Sequence, residues 1–284
     1  MKLKSGINHL VFSFLNKKNA PQERFFLSLS GTMTRTKISL LLILGMLTFF
    51  SCKKESSTDD GTQNTAPDPV GELPLSFTRK VLIEEFTGEW NPNCPTGSDS
   101  LRAMLLLDTS RVIAACVHQG DWLAITPFFD ALSTHLGGVN GFPRATINRV
   151  PAQYGSQLDS TVISIFNWRQ NLLPLLNQSA KVGLAMVNKN EGDMLQVKVH
   201  MGAIDSVAGD VRLTVYLTED SVSAQNQINA PVGYLHHRVV RKVLSAHLGD
   251  PVMLNANAKL IREYSISLAG LYQEKKRLSV VAFL

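Results

Sequence analysis

The chain has 284 residues, enough for one large domain or two of ordinary size. Hydrophobic residues make up 44% of it and charged residues 18%, which is typical of a folded protein with a sizeable core. The formal net charge is +5, but the excess of Lys and Arg lies in the first 51 residues, and the remainder is close to neutral. We therefore expect no nucleic-acid-binding surface.

The N-terminal part of the chain carries an export signal. A short basic start at Met33 precedes an apolar run from Ile38 to Phe50, which has signal-peptide length and is short for a membrane span. Ser51, a small residue, then precedes Cys52, and this pattern resembles a bacterial lipoprotein cleavage site. We expect residues 33–51 to be a lipoprotein signal peptide and Cys52 to carry a lipid anchor. The alternative is an uncleaved anchor helix.

Two segments around this signal do not predict folded structure. Residues 1–32 do not fit a signal, and we interpret them as a gene-model extension or a disordered leader, with translation starting at Met33. Residues 52–77 are polar and rich in Ser, Thr, Asp, Gly and Pro. Because such a composition cannot bury enough apolar surface to fold, it predicts a flexible tether.

The main functional signal follows the tether. Residues 81–83 form an apolar, β-branched run that predicts a buried strand, and the chain breaks at Thr87-Gly88 before a helical segment. A strand, a Trp-x-Pro-x-Cys turn and a helix resemble the redox site of a thioredoxin-like domain. That site normally reads Cys-x-x-Cys, and here Asn91 stands at the first cysteine position. The degenerate motif comprises Trp90, Asn91, Pro92, Asn93 and Cys94.

This replacement predicts a loss of redox chemistry. Disulfide exchange needs one thiolate that attacks and a second thiol that resolves the mixed disulfide. Asn91 cannot form a thiolate, although Asn suits a turn or a helix N-cap, so the local fold survives. Cys94 stands one helical turn deeper. It is a weak catalytic candidate for monothiol chemistry, and the alternative is an unpaired, half-buried cysteine.

The following elements complete the first half. The pattern predicts a helix over 98–107, a buried strand over 111–117, a helix opening at Thr126-Pro127 and a helix over 160–177. A strand, a helix and a strand in this order predict parallel pairing through a right-handed crossover. Cys116 lies in the second strand and is expected to be a core thiol; a bridge to Cys94 is not expected, because it would require close Cα atoms.

Residues 140–148 carry a second thioredoxin-like signal. Pro143 enters a strand after a loop, which is the position of the cis-proline in the resembling fold. In that fold the neighbouring backbone pairs with an extended peptide. We therefore expect Phe142-Pro143 to be a cis peptide bond at a peptide-binding groove, and the alternative is an ordinary trans loop proline.

Several other polar residues are weaker candidates, and they do not predict a functional site. Glu84 and Glu85 suggest a buried proton shuttle, but one of two adjacent strand residues normally faces solvent. His118 and His135 lack a ligand cluster and are expected to be structural or solvated. His236 and His237 would point to opposite faces of a strand, so their basic run is expected to be solvated. No metal and no cofactor are predicted.

The second half changes to a period of two. Strand patterns recur at roughly ten-residue spacing between turn signals such as 190–193 and 208–210. This arrangement predicts a β-sandwich of immunoglobulin type. The chain stops inside an apolar strand at Leu284, so this strand either closes the sandwich or lacks a partner strand through truncation.

Four passages together resemble the outer membrane protein 28-related family of Bacteroidota lipoproteins. They are residues 81–97, 141–148, 211–220 and 234–241. The resemblance implies an α/β thioredoxin-like domain, over 78–178, followed by an all-β immunoglobulin-like sandwich, over 179–284. It settles architecture better than activity, because the family's own task is poorly understood.

The sequence thus predicts an outer-membrane lipoprotein with a redox-inactive thioredoxin-like domain that binds peptides or proteins. Its partners would be the membrane, through the lipid on Cys52, and an extended peptide or another envelope protein. The alternative function is a monothiol oxidoreductase or isomerase that uses Cys94. A carbohydrate-binding sandwich rests on fold analogy alone.

Overall fold

Strands and helices alternate in the first half of the chain, and strands dominate the second. The computed structural model describes residues 11–14, 75–154, 157–158 and 160–284. The predicted signal peptide, Cys52 and residues 53–74 of the predicted tether lie outside the described residues. All described residues belong to one compact unit.

The described residues of the first half form three α-helices and seven strands, and five of these strands have only two to four residues. The long apolar runs of this half become strands in which every residue is buried, as expected for a sheet covered on both faces. In chain order the elements are β1 (Val11–Phe14), β2 (Val81–Thr87), α1 (Cys94–Leu105), β3 (Val112–His118), α2 (Thr126–His135), β4 (Arg144–Ile147), β5 (Gln153–Tyr154), β6 (Gln157–Leu158), β7 (Ile163–Ser164), a 3-10 helix (Ile165–Asn167) and α3 (Trp168–Leu176).

The second half contains the expected strands with period-two burial. In β9, for example, Leu195, Val197 and Val199 are buried and the residues between them are exposed at the start of the strand. In chain order the elements are β8 (Val182–Glu191), β9 (Met194–Ala203), β10 (Arg212–Glu219), β11 (Val222–Ser223), β12 (Leu235–His236), β13 (Val239–Val243), β14 (Asp250–Pro251), β15 (Lys259–Ser267), a 3-10 helix (Lys275–Arg277) and β16 (Leu278–Phe283).

Two helix predictions had the wrong boundaries. α1 begins at Cys94 rather than Ser98, because Pro95 fixes a helical φ in the first turn, where its missing N–H is not needed. The helix predicted over 160–177 begins only after Ser164, since Ile163 and Ser164 pair with β4. The β-branched Val162 and Ile163 favour an extended backbone at this point.

One mixed sheet of nine strands runs through both halves. Its order is β1-β16-β10-β13-β3-β2-β4-β7, with β14 paired to β10. β2 and β3 are parallel, as the crossover predicts, and β2 and β4 are antiparallel. The halves join where β13 pairs parallel to β3, through Val239 and Cys116. The two halves therefore share one sheet. The predicted domain boundary between residues 178 and 179 stays a prediction.

Helices cover both faces of the first-half part of the sheet. α1 and α3 pack on one face, where Leu101, Met104, Trp168 and Leu172 are buried among strand residues. α2 packs on the other face in a cluster that also contains residues of β10, β13 and β16. The second half adds a three-stranded antiparallel sheet, β15-β9-β8, whose apolar face packs on β10 and β16. The second half is therefore two-layered, and its layer of β10, β13 and β16 continues into the first half.

A buried ion pair of the first half is hydrogen-bonded to a side chain of the second half. Glu84 of β2 is fully buried, and its carboxylate accepts hydrogen bonds from Arg149 Nε (2.7 Å) and Nη2 (2.8 Å). The hydroxyl of Tyr216 on β10 donates to the same carboxylate at 2.8 Å and lies 2.6 Å from Arg149 Nη2. The Arg149 guanidinium also lies 4.8 Å from the centre of the Phe283 ring. A side chain of each half therefore satisfies the same buried carboxylate.

Replacing Arg149 by Met should lower the free energy of unfolding by about 3–5 kcal/mol, because it leaves Glu84 as a buried charge without its counterion. Replacing Tyr216 by Phe removes one neutral donor and should cost only about 1–2 kcal/mol. Urea denaturation of both variants measures the difference. An Arg149→Met protein that is as stable as the Tyr216→Phe protein would show that the Glu84–Arg149 ion pair does not stabilise the region where the two halves meet.

Candidate functional site

The turn between β2 and α1 is held by Asn91. The Asn91 backbone N–H donates to Gly88 O at 3.2 Å, and Asn91 O accepts from the N–H of Cys94, the first residue of α1, at 3.2 Å. The Asn91 side-chain oxygen also accepts from Asn93 N–H at 2.9 Å. This is the local turn chemistry that favours Asn at such positions. Asn91 thus supports the turn that a cysteine normally occupies in the resembling site.

The one sulfur of this turn is buried. Cys94 is 1% exposed, and burial raises the pKa of its thiol above the ordinary value, an effect that contacts with Thr87 and Gly88 oppose only in part. The nearby Glu85 raises the pKa further. The helix N-terminus would otherwise lower it. At neutral pH Cys94 is therefore a protonated, shielded thiol. Both Cys94 and Cys116 are free cysteines.

The second predicted segment lies against the same turn. The Phe142–Pro143 peptide bond is cis. The Trp90 and Phe142 rings meet edge to face with centroids 5.2 Å apart, and the Asn91 side-chain N–H donates to Phe142 O at 3.3 Å. Trp90 is 42% exposed, and Phe142 and Pro143 are half-buried. The structure thus brings the two predicted segments together; the role of Pro143 in a peptide groove stays a prediction.

α1 approaches this loop through a glycine. A Cβ at Gly97 would lie 2.5 Å from Pro143 Cβ and 2.6 Å from Glu85 Oε1. Real Cβ atoms do not come so close to other atoms, so only glycine allows the helix to pack here. Gly97 therefore sets the distance between the turn, the cis-proline and the buried Glu85.

Glu84 and Glu85 are both fully buried, and the expectation that one of them faces solvent was wrong. The reason is that both faces of β2 are covered, by α1 and α3 on one side and by α2 and the second half on the other. Burial raises the pKa of Glu85 to about 8, although the Cys116 thiol, 3.4 Å from Oε2, opposes this. At neutral pH Glu85 therefore carries a proton.

A second-half loop covers the backbone of the turn, and the sequence gives no sign of this. The Gln227 side-chain amide donates to Asn91 O at 3.1 Å, and the Asn229 side-chain amide donates to Pro92 O at 3.1 Å. The Ile228 backbone N–H donates to Glu89 O at 2.8 Å. Three successive residues of this loop thus satisfy three carbonyls of the turn. The partners lie about 140 residues apart in the chain, so no local pattern could reveal them.

Glu89 is the centre of these contacts, and sequence reasoning missed it. Its side chain is 6% exposed and accepts from the backbone N–H groups of Gln225 (2.9 Å) and Asn226 (3.2 Å). The Trp122 indole N–H donates to Glu89 at 3.2 Å, and His236 Nε2 lies 3.1 Å from it. A carboxylate with several donors aimed at it is well satisfied although buried. Glu89 therefore fixes the second-half loop on the turn.

The histidines behave differently from one another. His236 is buried, so the interpretation of its run as solvated was wrong at this residue; His237 on the neighbouring position is exposed and lies 2.7 Å from Asp220. The two do point to opposite sides, as predicted. Burial first, and then the nearby His118, lower the pKa of His236 to about 4. His118 is buried 2.6 Å from Asp121, and His135 is exposed.

The described residues contain neither a metal-ligand cluster nor a membrane-spanning helix. No group of three or more His, Cys, Asp or Glu side chains in these ranges is arranged to hold a metal ion. Among the helices that the structure describes, none is long and apolar enough to cross a membrane. Cys52, the predicted lipid attachment point, lies outside the described residues.

These features define a mostly β protein with helices on a mixed sheet and a strand–turn–helix segment that holds one buried cysteine. Residues 131–284 match the model of the family described as outer membrane protein Omp28. The match spans more than half of the chain, so the chain belongs to the Omp28 family. The family resemblance inferred from the sequence is confirmed, and the family's name is that of an outer membrane protein.

Solved structures extend the comparison. HBP35 of Porphyromonas gingivalis, one of the Bacteroidota, is similar with a TM-score of 0.62 and 24% identity, over 73% of this chain and 69% of that chain. At this identity the likeness concerns the fold alone. A crystal structure of an Agrobacterium tumefaciens protein has a TM-score of 0.43 and 17% identity, over 65% of this chain and 77% of that chain. That score is too low to establish a shared fold. No curated protein matches the sequence significantly.

Replacing Glu85 by Gln should remove a pH dependence of stability. The pKa of Glu85 is about 8 in the folded protein against an ordinary value of 4.5. Between these values the folded protein holds a proton that the unfolded chain releases, so the free energy of unfolding falls as the pH rises. Glu85→Gln lacks this proton, and its stability relative to the original protein should therefore increase from about pH 5 to about pH 8.

Urea denaturation across this pH range measures the difference between the two proteins. Replacement of the exposed Glu191 by Gln is the matched control and should give a difference that does not change with pH. A Glu85→Gln protein that behaves like this control would contradict the protonated state assigned to Glu85.

Proposed function

We propose that this chain is an outer-membrane lipoprotein, anchored through Cys52, whose thioredoxin-like domain binds extended peptide segments of envelope proteins and has no redox activity. The family's name and the signal pattern before Cys52 support this location. A parallel β2–β3 pair, helices on both faces and a cis-proline support a thioredoxin-like domain over 78–178. The two-layered second half supports an immunoglobulin-like sandwich over 179–284.

The observation that carries the proposal is a turn that keeps an exposed aromatic surface but has no accessible sulfur. Asn91 supplies no thiol, and Cys94 is 1% exposed with a raised pKa. A catalytic cysteine needs the opposite, an accessible thiolate in an electropositive setting. Trp90, in contrast, is 42% exposed and rests on Phe142 beside the cis-proline.

The surroundings of this surface suit an extended peptide. Among the residues that the structure describes, Asn91 donates one long hydrogen bond to Phe142 O, at 3.3 Å, and a carbonyl can accept a second one. Ile228 on the second-half loop is 45% exposed and lies next to the residues that bind the turn. The Phe142 carbonyl lies beside the Trp90 ring, and Ile228 is bound to the backbone of Glu89, the residue before Trp90. Such backbone acceptors and exposed apolar side chains provide the main-chain pairing and side-chain contacts that strand-like peptide recognition uses.

The alternative is a monothiol oxidoreductase or isomerase that uses Cys94. This function would need Cys94 to be exposed, since the attacking sulfur must approach the substrate disulfide along its S–S axis. The second-half loop holds the turn closed through Gln227 and Asn229, and Glu89 fixes that loop. The geometry therefore favours binding over monothiol chemistry.

A redox assay tests the absence of activity. We use the Cys52→Ser protein, in which Cys94 and Cys116 are the remaining cysteines. This protein should not accelerate the reduction of insulin by dithiothreitol, because neither thiol is accessible. Iodoacetamide should label Cys94 at least tenfold more slowly in the folded protein than in the unfolded protein. The Asn91→Cys variant restores the Cys-x-x-Cys spacing and serves as the positive control. Activity in the Cys52→Ser protein that vanishes on Cys94→Ser would establish the monothiol alternative instead.

A binding assay tests the peptide surface. Fluorescein-labelled eight-residue peptides with alternating apolar and polar residues are titrated with the protein and followed by anisotropy. We expect at least one of these peptides to bind. The Trp90→Ala variant should raise its Kd about tenfold or more, because truncation of a central aromatic side chain usually removes much of the binding energy. Phe166→Ala is the matched control, since Phe166 is an exposed aromatic (87%) on a different segment. Equal affinity of the two variants, or no binding by any peptide, would refute the proposal.

A further inference from the structure

The N-terminal strand β1 closes one edge of the nine-stranded sheet. Its backbone pairs antiparallel with β16, with Val11 opposite Phe283 and Phe14 opposite Val280. On its other side β16 pairs with β10, so β1 is what makes β16 an inner strand. β1 precedes the signal peptide in the chain, and a cut before Cys52 removes it. In the anchored protein β16 is then an edge strand.

The composition of β16 does not suit an exposed edge. Proteins usually protect such edges with charged residues, proline or a very short strand. β16 has six residues, reads Leu-Ser-Val-Val-Ala-Phe and contains no charged residue and no proline. Other long strands that border an edge in the described part of the chain do carry charges: Lys189 and Glu191 in β8, Arg241 and Lys242 in β13, and Lys259, Arg262 and Glu263 in β15.

Both faces of β16 lie in apolar cores. Val280 and Ala282 belong to the core of the second half, and Val281 and Phe283 belong to the cluster around α2. Backbone groups alternate in direction along a strand, so two of these four residues direct their N–H and C=O groups away from β10. Buried backbone groups of this kind are almost always paired. The edge of β16 therefore requires another strand when β1 is absent.

The space beside β16 is bounded by other strands. β1 lies near β3 and β8 as well as β16. A cavity of about 480 Å³ in this region is lined by Val112 and Ile113 of β3 and by Ser279 and Val281 of β16. Val112 and Ile113 belong to cores on opposite faces of β3, so the cavity lies at the edge of that strand. A single extended segment fits such a space better than β16 of a second copy, which is bounded in the same way.

We propose that β16 of the anchored protein accepts a strand from another envelope protein, an extended and uncharged segment that pairs antiparallel in the position of β1. The segment has at least four residues and is mainly apolar on both faces, because both faces of β16 continue into apolar cores. Main-chain hydrogen bonds supply the affinity in this mode of recognition. The inference rests on the proposed cut before Cys52, and it does not involve the surface at Trp90.

Fluorescence anisotropy with the processed lipoprotein in detergent tests the proposal. The probe is a fluorescein-labelled peptide of residues 9–16, which contains the β1 sequence. The control peptide carries Phe12→Pro and Ser13→Pro. Adjacent residues direct their N–H groups to opposite sides, so one of these prolines removes a donor that faces β16.

We expect saturable binding of one β1 peptide per protein, with a Kd about tenfold or more higher for the control peptide, because the control cannot complete the strand pairing. The full-length Cys52→Ser protein is not cut at this site and keeps β1, so it should bind the peptide about tenfold or more weakly. Equal affinity for the two peptides, or no saturable binding, would overturn the proposal.

Amide hydrogen exchange locates the bound peptide. Residues 278–283 should gain protection, because backbone groups that face away from β10 become paired. β15 is the matched control, a long edge strand with charged residues, and its exchange should not change. No gain at β16, or an equal gain at β15, would overturn the site. A processed protein that is a dimer with β16 already protected would assign this edge to a second copy and overturn the assignment to a partner segment.

Mass spectrometry of the lipoprotein separates this inference from the proposed function. A chain that begins at Cys52 has the proposed cut. If residues 1–51 remain, the proposed anchor is wrong, and the strand site is then tested on the full chain with Phe12→Pro and Ser13→Pro, which frees the edge and should bind the β1 peptide. Trp90→Ala should leave this binding unchanged, so failure of the peptide surface at the turn does not affect the site on β16.

Discussion

Two adjacent carboxyl groups buried in one strand constrain the rest of this structure. Glu84 and Glu85 point to opposite faces of β2, and both faces are closed to water. Glu84 is satisfied by Arg149 and by Tyr216, which the second half supplies. Glu85 forms no ion pair with any cation that the structure describes, and it keeps its proton instead. The ion pair lies within the first half but is bonded to Tyr216 and lies against Phe283 of the second half, whereas Glu85 contacts Cys116 and lies under α1 within the first half.

The pairing of β13 with β3 also determines the surroundings of the turn between β2 and α1. With β13 on the edge of β3, the second-half loop that precedes β13 in the chain lies on the turn, and residues 227–229 bind three of its carbonyls. Glu89 then fixes this loop through the backbone of Gln225 and Asn226. The turn is thereby closed around Cys94, and an aromatic surface at Trp90 and Phe142 stays open. Loss of the first cysteine and closure of the turn both favour binding over thiol chemistry.

The sequence predicted local features better than distant ones. The apolar runs of β2 and β3, the turn residues around Asn91 and the alternating strands of the second half depend on neighbours within a few residues, so their patterns could be recognised. The boundaries of α1 and α3 were wrong, because a first-turn proline and a strand pairing shifted them. Solvent exposure was wrong for Glu84, Glu85 and His236, since burial depends on elements far away in the chain. Glu89 and the loop over the turn carried no local signal.

By itself the sequence determined the family, the succession of a mixed half and a β-rich half, and the absence of a sulfur at Asn91. Composition, periodicity and residue identity are properties of the chain alone, and they suffice for these statements. Only the tertiary structure decided that one sheet joins both halves, that Cys94 is shielded and that Glu89 binds a loop of the second half. The physical reason is that strand pairing, burial and pKa depend on groups that lie far apart in the chain and meet only in the folded protein.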